Sequence, residues 1–248
     1  MTLPMTSPAI QIDRLSKRYG QVMAVNGISF SVPAGATHGL LGGNGAGKTT
    51  TLSMLLGLLL PTSGHIRILG VDMARQRYEV LPRMNFTSPY VDLPQRLSVW
   101  QNLDVYARLY NAPRRKERIQ ILAEQFDLTA LLKRPYGSLS AGQRTRVSLA
   151  KSLLNEPAVL LMDEPTAALD PDTADQVRGY LQDYQRRTGA TLLLASHNMR
   201  EVERLCQVVL MMKQGRIVDR GSPEHLINQY GRDDLEQVFI HIARDHAL

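Results

Sequence analysis

The chain has 248 residues, 44% of them hydrophobic and 21% charged, which is ordinary for a soluble globular protein made of one large domain, or of a core with a smaller insert. Its single cysteine, Cys206, excludes an intramolecular disulfide and a cysteine-based metal site, and it favours a reducing compartment. The most apolar stretch, residues 52–60, is too short to span a membrane. The net charge of +6 suits a nucleotide, a nucleic acid or an anionic membrane surface, although a solvated basic surface explains it equally well.

The first part of the chain alternates apolar and polar residues, which predicts short strands and turns. Turns are expected where Gly20 follows Tyr19 and at residues 33–35, because glycine and proline interrupt regular structure. The next predicted elements are a short apolar strand at residues 38–41, a helix from Lys48 to about residue 59 that Pro61 and Gly64 end, and a strand at residues 66–69.

The middle of the chain, from about residue 98 to residue 154, repeats apolar residues at helical spacing and predicts a helical insert. Strands and helices then alternate. The predicted elements are a buried strand at residues 159–162 that suits a parallel sheet, a helix at 171–187, a strand at 191–195, a helix from near Met199, and a hairpin of residues 208–212 and 216–219 around Gln214-Gly215.

The segment GGNGAGKTT lies between a predicted strand and a predicted helix and matches the phosphate-loop pattern. Glycines let backbone amides approach phosphate oxygens, and the helix N-terminus adds a partial positive charge. Lys48 is placed to reach the β- and γ-phosphates, and the Thr49 hydroxyl can bind Mg²⁺. The residues of this predicted nucleotide site are Gly42, Gly43, Asn44, Gly45, Ala46, Gly47, Lys48, Thr49 and Thr50.

Four apolar residues at 159–162 end in two carboxylates, Asp163 and Glu164. A buried strand would bring Asp163 to the metal side of the nucleotide site, where it can hold Mg²⁺. Strand alternation predicts Glu164 on the opposite face, in a position to polarise an attacking water. An acidic turn that merely closes a strand is common, but it is the weaker explanation beside a phosphate loop.

Residues 139–144, LSAGQR, place Ser140 and Gly142 just ahead of a predicted helix. Such a helix N-terminus can hold anionic oxygens. A simple serine cap explains the local sequence as well, so the meaning of this segment depends on its neighbours.

In this order, the motifs resemble the nucleotide-binding subunit of an ABC transporter, of the exporter-like ABC-2 type. LSAGQ resembles the LSGGQ-type signature of that family, with Ala141 where glycine is usual. Residues 168–170 resemble its D-loop, His197 resembles its switch histidine, and Tyr19 resembles the aromatic residue that stacks on adenine. The resemblance extends over residues 10–221.

The resemblance implies an α/β fold, a P-loop NTPase core with an N-terminal antiparallel β subdomain and a helical insert. The implied divisions are residues 1–86 (β subdomain and first part of the core), 87–155 (helical subdomain with the signature), 156–220 (second part of the core) and 221–248 (C-terminal helical tail). It also implies an ATPase that uses ATP and Mg²⁺, with Glu164 as general base and with Lys48 and His197 stabilising charge on the γ-phosphate. Further nucleotide-binding residues would be Tyr19, Ser140, Gly142, Gln143 and Asp170, and the metal ligands would be Thr49, Asp163 and Ser88.

One stretch departs from the family pattern. The family places a metal-sensing glutamine after a strand, where the helical insert begins, but that position falls here at Ser88 or Pro89, and Gln95 lies several residues too late. A serine hydroxyl can still bind Mg²⁺ or its water, although it reaches less far. We therefore predict secure ATP binding and altered metal sensing.

The resemblance also implies partners. Two subunits, identical or paralogous, would pair head to tail, with each ATP between the phosphate loop of one subunit and Ser140 and Gly142 of the other. Residues 86–102 would face a transmembrane permease, which would hold the chain at the cytoplasmic face of the inner membrane. The tail at residues 234–239 resembles that of exporter-type subunits and hints at export.

Two other functions stay open. ABC-type ATPases also act on nucleic acid or ribosomes, but those relatives usually carry coiled coils, zinc sites or two cassettes, which this sequence lacks, so no nucleic-acid partner is expected. A degenerate, ATP-binding regulatory partner would fit the missing glutamine, whereas the presence of Glu164 and His197 argues against it.

Overall fold

The computed structural model describes residues 8–89 and 91–244, and the predicted limits of the first and last divisions therefore lie outside the described residues. Within this part of the chain the strands are β1 (Pro8–Tyr19), β2 (Val22–Pro33), β3 (Thr37–Gly42), β4 (Ser63–Ile68), β5 (Val71–Asp72), β6 (Met84–Thr87), β7 (Val159–Asp163), β8 (Thr191–Ser196), β9 (Val208–Lys213) and β10 (Arg216–Gly221). The helices are α1 (Lys48–Leu55), α2 (Arg77–Val80), α3 (Val99–Leu109), α4 (Arg115–Gln125), α5 (Ala141–Ser152), α6 (Pro171–Thr188), α7 (Met199–Leu205), α8 (Pro223–Tyr230) and α9 (Leu235–Arg244).

The N-terminal sheet is antiparallel, with the strand order β2-β1-β4-β5. The alternation seen in the sequence gives it one buried face, to which Ile10, Ile12 and Phe30 contribute. This face packs on α1 in a core that also includes Leu52 and Leu55. The predicted antiparallel β region is confirmed.

The second sheet has six strands in the order β10-β9-β3-β8-β7-β6, and its five strands from β9 to β6 are parallel. Every residue of β3, β7 and β8 is buried, as expected for parallel strands covered on both faces. Because these three strands are neighbours, the segments that follow them meet at one edge of the sheet. The predicted hairpin of β9 and β10 closes the far side.

Helix α1 is shorter than the sequence predicts. It ends at Leu55, so the predicted end near residue 59 is wrong. Gly57 adopts a φ of +68°, and the N–H of Leu58 donates to the Ser53 carbonyl at 3.0 Å. This glycine-dependent C-terminal motif stops the helix before Pro61 is reached.

The helical insert consists of α3, α4 and α5, which share a core built from residues such as Leu103, Ile119 and Val147. The prediction of helices in this part of the chain is confirmed. The short strand β6 was missed, because four residues carry too little periodicity to be recognised. Among the described residues, none of the helices is long and apolar enough to cross a membrane.

Cys206 follows α7 and is buried and free. Burial raises the pKa of its thiol well above the usual range, so the thiol stays protonated and weakly reactive.

Candidate functional site

The loop between β3 and α1 leaves the helix N-terminus open for an anion. Gly47 caps α1 with a φ of +102° and offers no side chain to the first amides of the helix. A Cβ at Gly47 would lie 2.5 Å from the Ala24 carbonyl oxygen, so only glycine fits there. The first N–H groups of α1, together with the helix dipole, therefore form a site for phosphate oxygens.

Lys48, the first residue of α1, turns back over the loop. Its Nζ donates to the carbonyl of Gly42 at 2.6 Å and to that of Gly43 at 3.2 Å. Burial lowers the pKa of this ammonium group, while the charges of Glu164 and Asp163 oppose that shift. The lysine thus holds the loop in shape and presents one positive charge to its interior.

Thr49 and Asp163 bring two oxygen ligands together, one from α1 and one from the end of β7. The Thr49 hydroxyl donates to Oδ2 of Asp163 at 3.2 Å. Burial raises the pKa of Asp163, and the hydrogen bond from Thr49 counteracts this rise. Hydroxyl and carboxylate oxygens are the ligands that Mg²⁺ prefers, so this pair has the chemistry of a partial magnesium site. Among the described residues, no larger group of histidine, cysteine and acidic side chains could hold a metal.

Glu164 does not lie on the opposite face from Asp163, so that prediction is wrong. Strand β7 ends at Asp163, and Glu164 adopts a φ of +49°, which breaks the strand alternation and turns its carboxylate towards the same cavity. A left-handed conformation costs a residue with a side chain roughly 1–2 kcal/mol. Residues held in such conformations cluster at active sites.

His197 contacts Glu164 directly. Both its backbone N–H, at 3.0 Å, and its ring Nδ1, at 2.6 Å, lie within hydrogen-bond distance of Oε1 of Glu164. An ionised carboxylate can only accept, so Nδ1 is the donor in this contact when Glu164 is ionised. The histidine side chain is 62% exposed, and the glutamate side chain is 10% exposed. The pair therefore reaches from the protein interior to the open cavity.

A cavity of about 950 Å³ contains most of the predicted site. It brings together residues 43–50 of the phosphate loop, Asp163, Glu164 and His197. The predicted residue Gly42 borders the loop through its bond to Lys48. This volume suits a nucleotide and its metal ion.

Other predicted residues lie outside this cavity. Ser140 and Gln143 form a reciprocal capping box at the start of α5, and Asp170 caps α6 by accepting from Thr173. A Cβ at Gly142 would lie 3.2 Å from the Ala168 carbonyl oxygen, so α5 closely approaches the segment before α6. The signature segment is therefore a helix cap that does not line the cavity of its own phosphate loop.

Tyr19 and Ser88 are also absent from the cavity wall. Tyr19 is half exposed, and the ammonium of Lys17 lies 5.2 Å from its ring centre. Ser88 is buried and lines a separate cavity with Ala141 and Thr145. Its role as a metal ligand stays a prediction that this geometry does not favour.

Several cavity residues were not predicted. They are Val22, Met23 and Ala24 from β2, and Met199, Gln214, Glu236 and Phe239. The turn at Gln214-Gly215 and the tail around Phe239 were visible in the sequence, but nothing there indicated that they border the site. Glu201, which contacts Ser196 and Thr166 just behind the cavity, carried no recognisable pattern at all.

Comparisons with known proteins identify the family of the chain. Residues 25–167 match the family model described as "ABC transporter". The chain is 36% identical over 236 residues to the "Nod factor export ATP-binding protein I" of Ralstonia nicotianae (94% of this chain and 73% of that protein). It is 37% identical over 235 residues to the "Daunorubicin resistance ATP-binding protein DrrA2" of Streptomyces coeruleorubidus (93% and 72%).

A solved structure described as "Structure of ATP binding subunit of ABC transporter" matches the fold with a TM-score of 0.87. It covers 95% of this chain and 100% of its own, at 24% sequence identity, so the likeness is one of fold.

Proposed function

Because the chain belongs to the ABC transporter family, as one of its ATP-binding, ATP-hydrolysing proteins, we propose that it drives export through a separate membrane permease. The single observation that carries the proposal is the cavity in which Lys48, Thr49, Asp163, Glu164 and His197 meet. The names of the two relatives, which refer to export and to drug resistance, support the direction of transport.

ATP would bind with its phosphates on the loop of residues 43–50. The amides of the loop and of the α1 N-terminus would bind the phosphate oxygens, and Lys48 would neutralise charge on the β- and γ-phosphates. Thr49 and Asp163 would hold Mg²⁺, which when bound supplies positive charge beside the β- and γ-phosphate oxygens.

Glu164 would act as the general base. It would accept a proton from a water whose oxygen attacks the γ-phosphorus, while the bond to the β–γ bridging oxygen breaks. His197 contacts Oε1 of Glu164 twice, and the Ser196 hydroxyl lies 3.1 Å from Oε2, so the carboxylate is held in a defined orientation at the cavity. The exposed side of the His197 ring would contact the γ-phosphate.

A second subunit would complete the site. Ser140 and Gly142 do not line the cavity around Lys48, although the α5 N-terminus has the polarity to bind phosphate oxygens. A head-to-tail pair, formed with another copy or with a paralogous subunit, would bring the signature of one subunit onto the ATP of the other. Binding of ATP would then close the pair, and hydrolysis would release it.

The membrane partner would dock near residues 86–102, and it alone would attach the chain to the cytoplasmic face of the inner membrane. Val91 in this segment is 45% exposed. To test the proposal, the affinity-tagged chain is recovered from detergent-solubilised membranes, and co-purifying polytopic proteins are identified by mass spectrometry. We expect one permease, and stimulation of ATPase activity when the two proteins are reconstituted.

A matched pair of variants sharpens this test. Val91→Asp should lose the permease, whereas Ile240→Asp, an equally drastic change at a 38% exposed position on α9, should keep it. Recovery of ribosomes or nucleic acid in place of a membrane protein would refute the proposal.

A further inference from the structure

A second buried carboxylate lies behind the Glu164–His197 pair. Glu201 is on α7 and is 1% exposed. Its Oε1 accepts from the Thr166 hydroxyl at 2.7 Å, and its Oε2 accepts from the Ser196 hydroxyl at 2.8 Å. Burying a carboxylate is costly unless hydrogen bonds compensate, so a residue in this place calls for an explanation.

The two hydroxyls belong to the two segments that carry the pair. Thr166 lies two residues after Glu164, and Ser196 comes immediately before His197. The Ser196 hydroxyl is also 3.1 Å from Oε2 of Glu164. Glu201 therefore joins both segments, and through Ser196 it reaches the carboxylate proposed as the base.

The Ser196 hydroxyl has a single proton and two carboxylates within reach. Its oxygen also accepts from the N–H of Asn198 at 3.0 Å, which fixes the position of the hydroxyl. The shorter distance is to Oε2 of Glu201, so the Ser196 hydroxyl donates mainly to that carboxylate.

We propose that Glu201 is a positioning residue for ATP hydrolysis. By binding Thr166 and Ser196 together, it holds the Glu164 and His197 segments in the geometry that the reaction needs. It does not line the cavity in which the nucleotide would bind. This inference rests on the proposed function, because it concerns the same hydrolytic step.

The groups around Glu201 fit a residue that holds two segments of the chain together. The charged and titratable groups that face it are Glu164, Arg178 on α6 and the thiol of Cys206. Burial raises the pKa of Glu201, whereas the Thr166 and Ser196 hydroxyls oppose this rise. Whether ionised or protonated, the carboxyl can bridge both hydroxyls.

The test compares Glu201→Ala with Glu201→Gln in the full chain, with Mg-ATP as substrate. The alanine variant loses the hydrogen bonds to both Thr166 and Ser196. We therefore expect kcat to fall about 10–100-fold while KM and the Kd for ATP stay within about twofold. The glutamine variant can accept from Thr166 and donate to Ser196, so we expect it to retain kcat within about threefold. Parental kcat in the alanine variant, or an equal loss of ATP binding, would overturn the proposal.

A double-mutant cycle tests the route of the effect. If Glu201 acts through Ser196, adding Ser196→Ala to Glu201→Ala should lower kcat no further, whereas additive losses would contradict the proposal.

A second variant covers the case in which the alanine variant fails to fold. Thr166→Val removes the hydrogen bond to Oε1 of Glu201 and keeps a side chain of similar shape. We then expect kcat to fall about 3–10-fold at unchanged KM, and an unchanged kcat would overturn the inference.

The result can be separated from failure of the proposed function. If Glu164→Gln abolishes hydrolysis but the Glu201 variants behave like the parent, only the positioning role is wrong. If Glu164→Gln hydrolyses ATP normally, the assignment of the base is wrong as well.

Discussion

Oε1 of Glu164 and Nδ1 of His197 are 2.6 Å apart, although 33 residues separate them in the chain. Their contact depends on the parallel pairing of β7 with β8, which ends both strands at the same edge of the sheet. It depends equally on the positive φ of Glu164, which turns the carboxylate towards the histidine.

Replacing Glu164 by glutamine tests the role of this contact. We expect Glu164→Gln to bind ATP within about twofold of the parent but to hydrolyse it about 10²–10⁴-fold more slowly, because an amide cannot take the proton from water. Steady-state phosphate release and equilibrium nucleotide binding measure the two effects. In gel filtration, ATP should stabilise the variant as a dimer. The exposed Glu124→Gln serves as control, and hydrolysis at the parental rate would contradict the assignment.

The position of Ser88 allows the altered metal-sensing stretch to be probed. Glutamine has a longer reach than serine, and the cavity beside Ser88 has room for it, about 520 Å³. We expect Ser88→Gln to leave the Kd for ATP nearly unchanged and to raise kcat about twofold or more. Ser138→Gln, at an exposed position, is the control. A large loss of ATP affinity would show that this segment has a different place in the site.

Two glycines should respond to alanine with opposite signs. Gly57→Ala forces a side chain into a left-handed conformation 3.2 Å from Cδ of Arg77, so we expect a loss of about 1–2 kcal/mol in unfolding free energy. Gly179 lies inside α6 with open space around it, so Gly179→Ala should gain about 0.5–1 kcal/mol. Urea unfolding of both variants checks the prediction, which fails if the two changes have the same sign.

Lys151 should make stability depend on alkaline pH. Burial lowers its pKa to about 8 in the folded protein, from an ordinary value of 10.5. Between these values the unfolded chain binds more protons, so stability rises with pH across this window. We expect Lys151→Met to be more stable by about 2 kcal/mol at pH 7, after allowing for the lost hydrogen bond to the Phe86 carbonyl.

That advantage should shrink as pH rises from 8 to 10, because the folded parent is then already neutral at this position. Unfolding by urea at pH 7, 8, 9 and 10 measures the difference, with the exposed Lys133→Met as control. A difference independent of pH would mean that the ammonium group is not destabilising the fold.

Much of this architecture could be predicted from the sequence. The parallel strands are continuous apolar runs, and the glycines and lysine of the phosphate loop indicate phosphate binding. The family and the main site residues could therefore be predicted from these patterns. The direction of Glu164 could not be predicted, because it depends on the residue at which β7 ends and on one backbone angle. Glu201 was missed for a different reason, since its partners Thr166 and Ser196 lie in other elements and only the fold brings them together.

The burial of Cys206 has a practical consequence. The only thiol of the chain is 6% exposed and remains protonated, so maleimide reagents should leave the folded protein almost unmodified. A cysteine introduced at an exposed position outside the nucleotide site, such as Lys133, would then be the sole labelling point on each subunit. Spin or fluorescent probes attached there would report the distance between two subunits directly, and would show how that distance changes as ATP is bound and consumed.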